Sequence, residues 1–221
     1  SNYEKSKFLK IDIDLNYHNY HENKKQIFQY LDTLKDEAIQ SDDASLVMNY
    51  LSLVNDLLEK NENAVYLNEE FKRTVQVTLE KKVLKYKDKT YIKHYSFGSP
   101  YISTGNAGFI QELLRNMRIL KSDDYVDIVH MLAEGINHTL AKSLGITHGL
   151  AGLAMSNLDI YQYTRDVKFL SRSIDICTTI SLYSFTEYGC VVLPSSTFES
   201  ISYEYHDRHI SYKHLLNKLI T

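Results

Sequence analysis

Two glycine pairs, 44 residues apart, constrain the fold of this chain more than any other feature of its sequence. The segments STGNAGFIQELL and ITHGLAGLAMSN can be overlaid with a shift of 44 residues, which places Ser103 on Thr147. This overlay aligns Gly105 with Gly149 and Gly108 with Gly152. Each pair stands in front of an apolar helical pattern, although glycine inside a helix costs about 1 kcal/mol relative to alanine. A chain keeps such glycines where the backbone turns sharply or packs closely against a neighbour. The period predicts helical hairpins that stack in a solenoid or a ring.

The remainder of the chain shows the apolar spacing of a series of amphipathic helices. Residues 87–109 and 186–208 lack this spacing, carry many aromatic residues and are expected to be irregular. We therefore predict a single all-α domain over residues 1–221. Its helices are expected at Lys24–Gln40, Ala44–Lys60, Glu69–Lys85, Ala107–Leu120, from Ser122–Asp123 to about Lys142, at Leu150–Tyr163, at Asp166–Leu182 and in a last segment that ends near Ile220.

Composition excludes several classes of protein. A net charge of −3 gives no basic surface, which argues against nucleic acid as a partner. The sequence has no run of about 18 apolar residues, so no membrane span is expected, and its charged start has no signal-peptide pattern. Two cysteines, Cys177 and Cys190, do not form a disulfide framework, and a reduced, cytoplasmic setting fits them best.

A stack of hairpins also predicts where a site would lie. The helices that follow the glycine segments should begin on one face, around the axis of the stack. Helix N-termini concentrate unpaired N–H groups and the positive ends of helix dipoles. We expect the functional site on that face.

At these residues the sequence resembles the lanthionine cyclase family, the C-type lanthipeptide cyclases. That family folds as an α/α toroid, an inner ring of helices inside an outer ring, whose inner helices begin with Gly-x-x-Gly elements like GNAG and HGLAG here. The resemblance runs from about Tyr95 to the C-terminus and includes RDVKFLSRSIDI and YGCVVLPSSTFESISYEY. It implies a toroid or a partial toroid, because the chain supplies only about half of the hairpins of a full ring. The chain would then be the C-terminal part of a larger toroid, and the remainder would come from a larger synthetase or from a second copy.

Zinc-dependent members of that family hold the metal through two cysteines and a histidine, which lies in a Cys-His-Gly element. Here the element reads Thr147-His148-Gly149, and SFGSPYISTG supplies no second cysteine. Threonine is a poor zinc ligand. The sequence is therefore more similar to the metal-independent cyclase domain of class III lanthipeptide synthetases, with SPYIS and GLAGL as the matching segments, although HDRHIS replaces the last glycine element. No metal and no cofactor are expected.

The family reaction adds a cysteine thiol of a precursor peptide to a dehydrated serine or threonine. Without zinc, a neutral histidine is the natural base, and His148 is the catalytic candidate. The alternative is that its ring only bonds neighbouring backbone. His130 and His138 are expected on an outer helix, away from the site. The candidates for substrate binding are His94, Tyr101, Asn106, Tyr203 and His206.

Two other functions remain open. Loss of the cysteines and of the last glycine element also fits a degenerate module that binds a peptide or completes a larger assembly. An α/α-toroid glycan enzyme needs paired carboxylates and stacking aromatic rings. It ranks last, because acidic residues are scarce in the glycine segments and tryptophan is absent.

Overall fold

The computed structural model of the chain describes residues 20–60, 64–141, 143–183, 185–187 and 190–192, with side chains for 26–60, 64–141 and 143–183. Most of these residues are helical. The helices are α1 (Tyr20–Gln40), α2 (Ala44–Glu59), α3 (Ala64–Lys81), α4 (Asn106–Leu120), α5 (Val126–Ala133), α6 (Leu150–Thr164) and α7 (Val167–Leu182). The strands are β1 (Val83–Tyr86), β2 (Lys89–His94), β3 (Phe97–Ser99), β4 (Phe185–Glu187) and β5 (Cys190–Val192). The last helix predicted from the sequence lies outside the described residues.

The helices alternate between two layers. Layer one contains α2, α4 and α6, which run parallel: α4 contacts α2 near its N-terminus through Gly108 and further along through Arg115. Arg118, near the end of α4, donates to the carbonyl of Asp159 on α6. Layer two contains α1, α3, α5 and α7. The parallel course of layer one brings the starts of its three helices to the same end of the molecule.

Local signals set several helix boundaries. Asp43 caps α2 by accepting a hydrogen bond from the Ser45 N–H at 2.9 Å, and Asp166 caps α7 by accepting from the Lys168 N–H at 3.0 Å. The large apolar side chains point between the layers, where they are fully buried and hold the layers together. The largest of them include Tyr50, Phe71, Phe109 and Phe169.

The predicted irregular stretch folds instead as a three-stranded antiparallel sheet in the order β1-β2-β3. Two-residue loops join its strands, since Tyr86 pairs with Lys89 and His94 with Phe97. Lys87 and Tyr95, the first residues of these loops, have φ angles of 56° and 54°, in the left-handed region that tight hairpins require. The all-α prediction is therefore correct for most of the described chain but misses this sheet.

Two helix predictions extend too far. The third helix begins at Ala64 and ends at Lys81, so its last predicted residues belong to β1. The fifth ends at Ala133, and a 3₁₀ turn over Glu134–Ile136 follows it. Gly135 lies so close to the Thr90 carbonyl that a Cβ would stand 2.7 Å from its oxygen, so the chain packs against β2 there instead of continuing as a helix.

Among the described helices, none combines the length and the apolar character that crossing a membrane would require.

Candidate functional site

Both glycine pairs form the same turn. A Cβ on Gly152 would stand well under 3.0 Å from the carbonyl oxygen of Ile146, a separation that real Cβ atoms essentially never show. The loop before each helix therefore folds back onto the start of that helix, and glycine is the residue that fits. The same spacing of six residues brings Gly105 against the carbonyl of Ser99, Gly108 against that of Ile102 and Gly149 against that of Ser143.

This turn supplies hydrogen-bond acceptors for the first backbone N–H groups of the helix that follows it. In α6 the first three N–H groups donate to carbonyls seven residues earlier, and their distances are 3.0, 3.2 and 3.3 Å. The start of α4 repeats the pattern, because the Ala107 N–H donates to the Pro100 carbonyl at 3.1 Å. The expectation of unpaired N–H groups at these starts is therefore wrong for α6. The donors in α6 are Leu150, Ala151 and Gly152, and their acceptors are Ser143, Leu144 and Gly145.

The two glycine loops lie side by side. We call residues 99–105 the first glycine loop and residues 143–149 the second glycine loop. The Ser103 N–H donates to the Thr147 carbonyl at 3.3 Å, and the Ser103 hydroxyl lies 3.2 Å from the same oxygen. The Ser103 Oγ also lies 2.6 Å from the Nε2 of His148. The Tyr101 ring meets the His148 ring edge-on, with centroids 6.1 Å apart. These four residues form a seam between the loops.

His148 itself is exposed at this seam. Its ring bonds a side-chain hydroxyl, whereas the alternative prediction was a bond to neighbouring backbone. The structure thus brings together two sequence candidates, His148 and Tyr101. Ser103 was missed by the sequence analysis. The signal was present, since the 44-residue overlay aligns Ser103 with Thr147.

His94 lies at the end of β2 and caps a different helix. Its Nδ1 is 3.3 Å from the Ala44 N–H, the first of α2, and 3.4 Å from a carboxylate oxygen of Asp43. Its ring also packs against the rings of Tyr95 and Phe97, which are both more than half exposed. His94 therefore lies at the same end of layer one as the seam, at a neighbouring helix start. Tyr203 and His206 lie outside the described residues.

Asn106 lies in the interior of the domain, where its side chain binds backbone groups. Its side chain is completely buried. The amide oxygen accepts from the Ile92 N–H at 2.7 Å, and the amide nitrogen donates to the carbonyls of Thr90 and Leu132 at 2.7 and 2.8 Å. These bonds join β2 and the end of α5 to the start of α4. The placement argues against the predicted contact of Asn106 with a substrate, because no face of the side chain is open.

His130 and His138, the two histidines expected on an outer helix, lie in different kinds of structure. His130 lies on α5 as predicted, and its ring packs against Phe169 with centroids 5.4 Å apart. His138 lies beyond the end of α5, so its predicted helical position is wrong. Its Nε2 is 3.2 Å from the Tyr91 hydroxyl. Burial lowers the pKa of His138, the nearby Lys89 ammonium lowers it further, and a hydrogen bond with the Gly135 backbone opposes both effects.

The groups at the seam do not suit zinc. His148 is its one nitrogen ligand, and the neighbouring groups are hydroxyls and backbone carbonyls, whereas zinc sites use three or four Cys, His or carboxylate ligands. Within the side chains that the structure describes, no group of three or more His, Cys, Asp or Glu residues is arranged to hold a metal ion. Cys177 is buried, and burial raises the pKa of its thiol to about 11.

Comparison with known families gives the decisive observation. The model of the family described as lanthionine synthetase C-like protein matches residues 57–203, about two thirds of the chain. This chain belongs to the lanthionine synthetase C-like family. The match spans α3 to α7 and includes both glycine loops and the seam. The lanthionine synthetase C-like region therefore contains both glycine loops, the seam and His94, whereas the start of α2 that His94 caps lies before it. No curated protein matches the chain.

Proposed function

We propose that this domain is a lanthionine cyclase that closes thioether rings in a dehydrated precursor peptide without zinc. The observation that carries the proposal is the exposed His148 ring at the seam, held by the Ser103 hydroxyl 2.6 Å from its Nε2. A neutral imidazole is the side chain best suited to accept a thiol proton near neutral pH. The membership of the chain in the lanthionine synthetase C-like family supports the peptide as substrate.

The proposed reaction proceeds in two proton transfers around one bond formation. The imidazole of His148 takes the proton from the peptide cysteine, which leaves a thiolate as nucleophile. The sulfur attacks the Cβ of the dehydrated residue, the S–C bond forms, and the electron pair of the C=C bond moves onto Cα as an enolate. The imidazolium of His148 then returns its proton to Cα, so the base ends in its starting state.

We further propose that the peptide lies across the starts of the layer-one helices. Tyr101 beside His148, and His94 with the exposed rings of Tyr95 and Phe97, offer aromatic surface along that end of the domain. Aromatic residues with polar groups suit an extended peptide. Tyr203 and His206 remain candidates for the same surface.

The two helical layers are proposed to be an arc of an α/α toroid of the class III, metal-independent type, with a cytoplasmic location. The parallel helices of layer one support this proposal, because an inner ring of a toroid has the same arrangement. The remaining hairpins would come from other domains of a synthetase or from a second copy of the chain.

The experiment uses the full-length protein and a peptide that contains one cysteine and one dehydroalanine. Alkylation of the remaining thiol, followed by mass spectrometry, measures ring closure against the rate of the peptide alone. We expect acceleration by the protein and about a hundredfold loss in His148→Ala, the usual contribution of a general base. His130→Gln is the matched control and should retain the rate. In a complete synthetase, His148→Ala should leave dehydration unchanged. A wild-type rate equal to that of the peptide alone would contradict the proposal.

A second candidate function is a module that binds a peptide without chemistry. It is favoured by one observation: in the part of the chain that the structure describes, the His148 ring contacts a hydroxyl and a tyrosine ring but no carboxylate that could orient a base. The same experiment separates the two functions. Binding of the dehydrated peptide without acceleration of ring closure would support the module and exclude the cyclase.

A further inference from the structure

We propose that Ser103 is a positioning residue that fixes the tautomer and the orientation of the His148 ring. The inference rests on the proposed function, in which His148 is the base. Three contacts carry it. The Ser103 Oγ lies 2.6 Å from the His148 Nε2 and 3.2 Å from the Thr147 carbonyl oxygen, and the Ser103 N–H donates to that same oxygen at 3.3 Å.

The single hydroxyl proton of Ser103 determines which ring nitrogen of His148 is protonated. The hydroxyl can donate to the Thr147 carbonyl, which only accepts, or to Nε2, whose role depends on the tautomer, and we assign its proton to the carbonyl. The Oγ lone pair then accepts from Nε2, which requires the proton of the neutral imidazole to sit on Nε2. Nδ1 consequently carries the free lone pair. This assignment makes Nδ1 the nitrogen that takes the proton of the peptide thiol.

The same contacts suit the charged ring. When Nδ1 accepts a proton, both ring nitrogens become donors, and the bond from Nε2 to Ser103 Oγ needs no rearrangement. The chain of donations from Nε2 to the hydroxyl and from the hydroxyl to the carbonyl oxygen directs negative partial charge toward the imidazolium. A fixed acceptor of this kind stabilises a charge that develops during the reaction. Ser103 would thus act through His148 without touching the peptide.

The backbone holds Ser103 in place independently of its side chain. The hydrogen bond from the Ser103 N–H to the Thr147 carbonyl joins the two glycine loops through main-chain atoms. Loss of the hydroxyl should therefore leave the loops together. The overlay also aligns Ser103 with Thr147 in the repeated turn, so this position of the turn accommodates a threonine. Ser103→Thr is the matched control, because it keeps the hydroxyl that Ser103→Ala removes.

The test combines a spectroscopic readout with kinetics. In the full-length protein labelled with ¹⁵N-histidine, the nitrogen shifts of the His148 ring report its tautomer above pH 7, and His148→Ala identifies its signals. We expect an Nε2-protonated ring in the wild type and in Ser103→Thr, and a mixture of tautomers in Ser103→Ala. Ring closure should slow about tenfold in Ser103→Ala through kcat, with little change in KM, as for other groups that orient a histidine. Ser103→Thr should restore most of the rate.

The outcomes separate this inference from the proposed function. An unchanged His148 tautomer in Ser103→Ala overturns the inference, even if ring closure slows. A changed tautomer in a protein that closes no ring supports the assignment of Ser103 and refutes the cyclase function. Thermal melts by circular dichroism accompany both variants. If Ser103→Ala does not fold, the wild type and Ser103→Thr still decide the matter, because an Nδ1-protonated ring in either one overturns the inference.

Discussion

Gly152 lies against Ile146 so closely that a Cβ on the glycine would stand well under 3.0 Å from the isoleucine carbonyl oxygen. The backbone of the second glycine loop thus packs directly onto the first turn of α6. This contact shapes the loop that presents His148 at the seam. The glycine is required by the space available and not by a left-handed backbone angle, because Gly152 lies inside the right-handed helix α6.

Gly152→Ala should destabilise the protein by about 1–3 kcal/mol or more, because the new methyl group has no space and overpacking carries a cost of that size. The sign is opposite to the gain that alanine usually brings to a helix. Denaturant unfolding measures the difference. Gly145→Ala is the matched control in the same loop, since its Cβ would meet only the Ser143 Oγ at 3.8 Å. It should stay within about 0.5 kcal/mol of the wild type. Equal effects of the two substitutions would exclude a steric role for Gly152.

Asn106→Ala should cost about 3 kcal/mol of unfolding free energy, since the Ile92 N–H and the Thr90 carbonyl lose a buried partner and the Leu132 carbonyl loses one of its donors. The exposed Asn137→Ala is the control for loss of an asparagine. Denaturant melts and the KM for the peptide should be measured together. A stable Asn106→Ala protein with a raised KM would restore the substrate-binding role that the sequence suggested.

The purified protein is expected to carry no stoichiometric zinc, because Thr147 stands where a cysteine ligand would and the His148 ring contacts the Ser103 hydroxyl and the Tyr101 ring at the seam. Elemental analysis after dialysis measures the metal content. His148→Ala should give the same result. One zinc per chain in the wild type, absent from His148→Ala, would contradict the metal-free chemistry proposed here.

Acidification should destabilise the protein partly through His138. Burial lowers the pKa of this ring in the folded state below its usual value, so the unfolded chain binds the proton first as the pH falls through about 6.5. The contribution to stability is therefore present above that pH and declines below it. Chemical unfolding between pH 7.5 and 5.5 should show a smaller loss in His138→Gln than in the wild type. Asn137→Ala, which removes no titratable group, should lose as much as the wild type.

The glycine turns were predictable because their cause is local. Gly105 and Gly149 precede helices at positions where the backbone folds back on itself, and this steric requirement is visible in one sequence without knowledge of the neighbours. The start of α6 at Leu150, 44 residues along the chain from the start of α4 at Asn106, follows from the same signal. Asp166 as the cap of α7 is likewise a local effect.

The sheet, the burial of Asn106 and the contact of Ser103 depend on residues that are distant in the chain. The strands β1–β3 are short and carry many charges, so their apolar alternation is weak, and they are stabilised where β2 packs against α4 through Asn106. The sequence suggested that Asn106 contacts a substrate, because the residue type alone does not show that this polar side chain is buried. Ser103 acquires its interest only from the His148 ring, which lies 45 residues further along the chain. The 44-residue overlay marks the position of Ser103 in the repeated turn, but its contact with the His148 ring arises from tertiary packing, which the overlay does not show.

The seam joins equivalent parts of two copies of one 44-residue unit, so it has the character of a subunit interface inside a single chain. Position 103 contributes its hydroxyl from one unit, while position 148 contributes its imidazole from the next. The pairing is therefore heterologous, and each further unit added to the series would generate another junction with the same backbone and its own pair of side chains. Duplication of a hairpin would thus multiply junctions that could diverge independently, and the chemistry of each would depend on which side chains meet across it.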